Sequence, residues 1–195
     1  MKQRTVAERL VAPVLRKDCL DYILNIHYAK RVPSISYAYG LFEGGEMVGC
    51  VTYGSPASPW LCKGVCGEEY RKDVIELNRL VLKNNKKNEA SFLVGNSLRM
   101  LAKERNSIVV SYSDSAQNHT GIIYQATNFL FTGTTKPRTD IASKGGKHSR
   151  HHSGDRAKRV YRSAKHRYVI FIGTKKFKKT AKEALRYEVT PYPKA

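Results

Sequence analysis

SIVVSYSDSAQNHTGIIYQATNFLFTGTT (residues 107–135) is the stretch from which the fold of this chain is read. Ile108, Val109 and Val110 form a short β-branched run of the kind that makes a buried strand. The strand ends in the polar cluster Ser111–Asn118, which places Asp114 at its carboxyl end. A short helix follows over Gly121, Ile122, Ile123, Tyr124, Gln125 and Ala126, then a second strand, Phe129–Thr134. In open α/β sheets ligands bind beyond the carboxyl ends of the strands, so a carboxylate in that loop is a site candidate. Aspartate also caps helices and shapes turns, which is its more ordinary use.

Upstream, Ala90–Arg105 reads as a helix with Val94, Leu98 and Leu101 as its core stripe. Ser91 falls in its first turn, where free backbone amides favour anions, although a serine at a helix start is common. The loop Lys83–Asn88 (KNNKKN) connects it to a strand, Val74–Leu82 (VIELNRLVL). Leu77, Arg79 and Val81 share one face of that strand, and Glu76, Asn78 and Leu80 the other. Polar residues on both faces of so apolar a strand predict that one end lines a cleft. Before it, Ser36–Glu43 and Glu46–Tyr53 flank Gly44-Gly45 and predict a tight hairpin. Gly40, Gly49 and Gly54 in or beside these strands point to bulges or close backbone approach. The segment Ser55–Gly67, with Pro56, Pro59 and Trp60, reads as a loop, its tryptophan open to stacking on a ligand base but by default packing over the sheet. Near the start, Asp18 caps a helix running to about His27, with Leu20, Ile23, Leu24 and His27 on one apolar face.

Downstream the composition changes. Residues 136–163 (KPRTDIASKGGKHSRHHSGDRAKRVYRS) have almost no large apolar residues and no periodicity, and predict a long basic loop between two strands. His166–Ile172 returns to strand, and a short helix is expected near Thr180–Arg186. The net charge is +19, with 35 Lys and Arg against 16 Asp and Glu; residues 136–195 hold 18 of the former and 4 of the latter. A basic region of this size points to nucleic acid. The four cysteines include only one close pair, Cys62 and Cys66, without the second pair that a structural zinc site needs. No apolar run approaches membrane-spanning length and no signal peptide is read, so a cytoplasmic protein without membrane partners is expected.

A helix, a hairpin, then strand, helix, strand, helix and two strands is the layout of the GNAT acyltransferase fold. The expectation is thus an α/β domain over 1–195. It has a GNAT-like mixed central sheet flanked by helices, a basic DNA-binding insertion at 136–163 and a basic extension at 174–195. Asn25-Ile-His27-Tyr28, YGLFEGGEMVGCVTYG (39–54), ELNRLVL (76–82), EASFLVGNSLRML (89–101), SYSDSAQNHTGIIYQATNFLFTG (111–133) and KHRY with the PYPK end together resemble the Mom family. These are phage DNA-modification proteins that convert adenine in DNA to an N6-carbamoylmethyl form and mask phage DNA from host restriction.

The resemblance implies a transferase acting on double-stranded DNA in the host cytoplasm, with His27, Tyr28, Ser91 and Asp114 in its active site. Asp114 would orient or deprotonate N6, His27 is the alternative base, and Tyr28 and Ser91 would hold the donor or stabilise developing charge. The resemblance also brings Fe2+, for which His27, Tyr28 and Asp114 are the only ligands on offer. Acyltransferases of this fold hold coenzyme A on a Q/R-x-x-G-x-G/A loop; here NNKKNEAS has no glycine, so the acyl donor is open between acetyl-CoA and aminoacyl-tRNA. The basic residues Lys136, Arg138, Lys144, Lys147, Arg150, Arg156, Lys158, Arg159 and Arg162 would hold phosphates while a base is flipped. Two other readings stay open: a non-catalytic DNA-binding protein on a degenerate scaffold, and a conventional acetyl-CoA-dependent N-acetyltransferase.

Overall fold

Gly44 and Gly45 turn the chain at φ of 60° and 86°, a left-handed backbone that glycine adopts without a Cβ penalty. They join β2 (Tyr37–Glu43) to β3 (Glu46–Gly54) as the expected antiparallel hairpin. The computed structural model describes residues 9–141 and 159–194. On one side of the hairpin lies β1 (Arg9–Pro13), a short edge strand with no counterpart among the elements expected from the sequence. On the other lies β4 (Val74–Leu82). Close backbone approach is evident at Gly54, where an added Cβ would overlap the Ser34 carbonyl oxygen.

Next come α3 (Glu89–Glu104), β5 (Ser107–Asp114), a 3-10 turn at Ser115–Gln117, α4 (Ile122–Ala126) and β6 (Leu130–Thr134). A long β9 (Lys165–Ile172) then inserts between β5 and β6, antiparallel to both. The result is a seven-stranded sheet of order β1-β2-β3-β4-β5-β9-β6. The apolar run in β5 is explained by burial on both faces. Val109 joins Leu93, Val94, Leu98 and Leu101 of α3 on one side. Ile108 and Val110 face α2 (Pro59–Cys66) and α5 (Lys175–Glu183) on the other, packing with Val65, Cys66 and Ala181.

Several expectations are corrected. The stretch read as a loop over Ser55–Gly67 contains α2: Pro59 sits at the first helical position, where its missing amide costs nothing. Trp60 on that helix is 82% exposed rather than packed on the sheet. The first helix is α1 (Arg16–Asp21) followed by one wide π-helical turn, Tyr22–Ile26, closed by the His27 amide on the Tyr22 carbonyl at 3.0 Å. The added residue rotates the buried face to Cys19, Tyr22 and Ile23 and leaves Leu24 exposed. His27 therefore leaves the helix in extended conformation instead of joining its apolar stripe. α5 starts at Lys175, earlier than expected, because the Thr174 hydroxyl caps the Phe177 amide at 3.2 Å.

The expected basic loop is also revised at both ends. Arg138–Ile141 (β7) and Arg159–Arg162 (β8) pair antiparallel as a two-stranded ribbon. Residues 142–158, with Lys144, Lys147, Arg150, Arg156 and Lys158, lie outside the described residues.

What positions the site is a fork in the sheet. β4 and β5 run parallel and pair only from Val74–Leu77 against Ile108–Ser111. The Ser111 hydroxyl donates to the Leu77 carbonyl at 2.9 Å at the point of divergence. Beyond it β4 stays with β3, while β5 stays with β9 as far as Asp114 opposite Lys165. α4 closes this opening through Gly121, which adopts φ +75° with the Tyr168 hydroxyl where a Cβ would lie. Gly121→Ala combines a left-handed alanine with a clash against a buried ring. It is expected to destabilise the fold by about 2–4 kcal/mol, read as a lowered midpoint in thermal unfolding.

Candidate active site

The fork opens into a cavity of about 560 Å³. His27 and Tyr28 reach it from the end of the π-helical turn, Glu76, Asn78 and Arg79 from β4, and Ser91 from α3. Asp114 and Lys165 enter it from the paired ends of β5 and β9. The four positions expected from the sequence, His27, Tyr28, Ser91 and Asp114, thus line one cavity although they come from well-separated parts of the chain.

Asp114 does what aspartates ordinarily do and keeps one oxygen for more. Its Oδ1 accepts the Ala116 amide at 3.0 Å, capping the 3-10 turn, and also accepts the Ser163 hydroxyl. Its Oδ2 lies 3.7 Å from Lys165 Nζ. Burial pushes its pKa up, but the Ser163 and Ala116 hydrogen bonds, with Lys165 and His119, outweigh that and hold the carboxyl below its usual range. It is a carboxylate at neutral pH and a weak proton acceptor.

His27 accepts the Ala29 amide on Nδ1 at 3.0 Å, which leaves Nε2 as its free nitrogen. Burial, followed by charge interactions with Arg79, Lys165 and His119, lowers its pKa to about 4. The ring is therefore neutral under physiological conditions. Tyr28 stacks on it, centroids 4.5 Å apart at 25°, and meets His119 edge-on at 6.3 Å. Tyr28 remains half exposed, and burial and then Asp114 keep its hydroxyl protonated well above neutrality. This cluster presents a flat aromatic surface at the cavity.

The second end of the cavity is the start of α3, lined by Asn85, Lys86, Lys87, Asn88, Ala90 and Ser91. The glycines missing from this loop are replaced in conformation: Asn85 and Asn88 take φ of 46° and 66°, which asparagine tolerates better than most residues. Lys86 is committed to Glu43. Its amide donates to Glu89 Oε2 at 2.7 Å, bracing the loop. Lys87 and Ser91 line the cavity at this helix start, the Ser91 hydroxyl donating to the Asn88 carbonyl at 3.2 Å; free first-turn amides of a helix are the kind of group that suits an anion.

Residues that the sequence marked only as polar in an apolar strand prove central. Glu76 lines the cavity; burial pushes its pKa up, against the opposing pull of Arg79, Lys165, the Ala57 amide and Arg31. Arg79 donates from Nε and Nη2 to the Arg31 carbonyl at 3.2 and 2.8 Å. Among the described residues it has no carboxylate within ion-pair distance, so it brings an uncompensated positive charge to the cavity wall. Lys165 opens the KHRY motif but had no role assigned from the sequence, because only the β5–β9 register brings it to Asp114.

The metal expectation does not fit these residues. One Asp114 oxygen already accepts two hydrogen bonds and the other faces Lys165, while His27 sits close to the positive Arg79 and Lys165. No group of three or more histidine, cysteine or acidic side chains gathers among the described residues, Cys62 and Cys66 included. Of the expected phosphate contacts, Lys136, Arg138 and Arg159 are exposed and Arg162 is half-buried. Arg138 and Arg162 share Asp140, at 3.2 and 3.4 Å. No helix among the described residues is long and apolar enough to cross a membrane.

Comparison with known proteins places this architecture. A putative acetyltransferase from Acinetobacter baylyi superposes with TM-score 0.53 at 12% identity, covering 86% of this chain and 94% of that one. An N-acetyltransferase from Staphylococcus aureus Mu50 gives 0.53 at 17%, covering 85% and 99%. At these identities the likeness is one of fold, and the fold is the GNAT acetyltransferase fold. In sequence, the methylcarbamoylase Mom of Escherichia phage Mu is 26% identical over 186 residues, covering 86% of this chain and 76% of that protein. The model of the Mom protein family matches residues 8–194. With a family match over nearly its whole length, on an acetyltransferase fold, the chain belongs to the Mom protein family of DNA-modifying enzymes.

Proposed function

We propose that the cavity converts adenine in double-stranded DNA to N6-carbamoylmethyladenine, protecting phage DNA from restriction in the host cytoplasm. The observation that carries this reading is the convergence of His27, Tyr28, Ser91 and Asp114 on one cavity between an anion-binding helix start and a basic ribbon. A flipped adenine stacks on Tyr28, as bases do on exposed aromatic rings. Asp114 Oδ2 accepts a hydrogen bond from N6 and orients it. The N6 lone pair is delocalised into the ring, so alkylation needs a proton acceptor in a dry site.

Glu76 suits that role better than Asp114 or His27, whose proton affinities are both lowered. In the step itself the bond from N6 to the incoming carbon forms and one N6 proton passes to Glu76. The donor's leaving group departs with the bonding pair, while Arg79 offsets developing negative charge. Acetyl-CoA and aminoacyl-tRNA both carry phosphates that suit the start of α3, with Ser91 and Lys87, but an acetyl thioester lacks the amide nitrogen of the transferred unit, so the donor for this step is one that carries a leaving group on the carbamoylmethyl carbon. The set of basic residues from Lys136 to Arg162 holds the duplex.

The experiment is digestion of plasmid from cells expressing the protein with nucleases whose sites contain adenine. Resistance that disappears with Asp114→Ala supports the reading. Full sensitivity, with the protein soluble and folded, refutes it.

A further inference from the structure

Each of the three residues that follow the ribbon bonds to the segment carrying Asp114. Ser163 donates its hydroxyl to Asp114 Oδ1. The Ala164 carbonyl accepts both the Ser115 hydroxyl, at 2.7 Å, and the Ser115 amide, at 3.3 Å. Lys165 pairs with Asp114 in the β5–β9 register and places Nζ near Oδ2. Its backbone is fixed on the other side, donating to Thr135 Oγ1 at 3.0 Å and accepting the Thr135 amide at 2.8 Å. Thr135 itself leads into β7. Both strands of the basic ribbon therefore spring from residues locked around this carboxylate.

From this geometry we infer that Ser163 is a positioning residue: it fixes the rotamer of Asp114 and ties the DNA-holding ribbon to the carboxylate that orients the target base. The inference rests on the reading of Asp114 given above. Two bonds to Oδ1, one from Ala116 and one from Ser163, determine where Oδ2 points. The Ala116 bond alone is a local turn contact that lets the carboxylate rotate about χ2. Ser163 adds the restraint that comes from the ribbon, 49 residues away in sequence.

The test compares the full-length protein with Ser163→Ala, Ser163→Thr and Asp114→Asn. Two quantities are read: the initial rate of adenine modification in plasmid DNA of expressing cells, by nucleoside mass spectrometry, and the affinity of the purified proteins for a short mixed-sequence duplex. Ser163→Ala is expected to slow modification on the order of a hundredfold with duplex affinity within about twofold of the parent. Ser163→Thr, which keeps the hydroxyl, is expected to restore most of the rate. An unchanged rate in Ser163→Ala overturns the proposal, as does a loss that Ser163→Thr fails to restore while its thermal midpoint matches the parent's. A fully active Asp114→Asn overturns the reading of Asp114 itself and is distinguishable from both.

Discussion

Glu76→Gln is expected to lower the rate of adenine modification by roughly 10²–10⁴-fold, the usual contribution of a positioned general base, while duplex binding stays intact. Glutamine preserves size and hydrogen-bonding capacity and removes only the proton acceptor. The pH dependence follows from the same burial. Because burial raises the Glu76 pKa, the protein loses activity on acidification at a pH above the ordinary glutamate range, and the Gln variant lacks that limb. The stability effect has a definite sign. A carboxyl whose folded pKa is raised binds its proton more tightly in the folded state, so stability falls as pH rises through the window between the two values. Glu76→Gln removes this cost and is expected to be at least as stable as the parent at neutral pH. A variant that is inactive and also unfolded would contradict the assignment; one that is inactive and fully stable supports it. Rate measurements across pH, paired with thermal unfolding, read both.

The second large effect concerns the ribbon. Neutralising Lys136, Arg138, Arg159 and Arg162 together is expected to make the log–log salt dependence of duplex binding shallower by about 3–4, near 0.9 for each phosphate that no longer meets a positive charge. Affinity at moderate salt should fall by at least about tenfold, without regard to sequence. The described part of the fold leaves room for this, since three of the four side chains are exposed and the ribbon lies outside the central sheet. The Asp140 pairs with Arg138 and Arg162 are partly exposed and contribute little to stability. Thermal unfolding of the quadruple variant should stay close to the parent's. An unchanged salt slope would remove the ribbon from the DNA interface.

Much of this fold was written in local pattern. The Gly44-Gly45 hairpin, the apolar strand around Ile75 and Val81, and the helix stripe of Val94, Leu98 and Leu101 each follow from periodicity and turn chemistry. The central sheet and its α/β class could be read from them. Where reading failed, local signals pointed the wrong way. Pro56 and Pro59 look like breakers, yet Pro59 begins α2. The π-helical turn at Tyr22–Ile26 leaves no mark in composition, and it alone turns His27 out of the apolar stripe and toward the cavity. The ribbon strands are four residues each and polar, with no alternation to detect.

The site divides in the same manner. Asp114 was visible as a carboxylate at a strand end, and Ser91 as a helix-start hydroxyl. Glu76 and Arg79 were visible as polar residues in an apolar strand, without a role. Lys165, in the KHRY motif, and Ser163 carried no legible role, because what matters about them is the β5–β9 register and the hydrogen bonds of a segment distant in sequence. The missing glycines of the loop before α3 left the acyl donor open, and Asn85 and Asn88 take the left-handed backbone there.

The central claim is that this cavity alkylates adenine N6 and that Asp114 belongs to the machinery. It is tested most directly by mass spectrometry of nucleosides from plasmid DNA in cells expressing the protein, beside cells expressing Asp114→Ala. An adenosine heavier by one carbamoylmethyl group is expected in the first and none in the second. Unmodified adenosine in both, with soluble folded protein that binds duplex DNA, would contradict it.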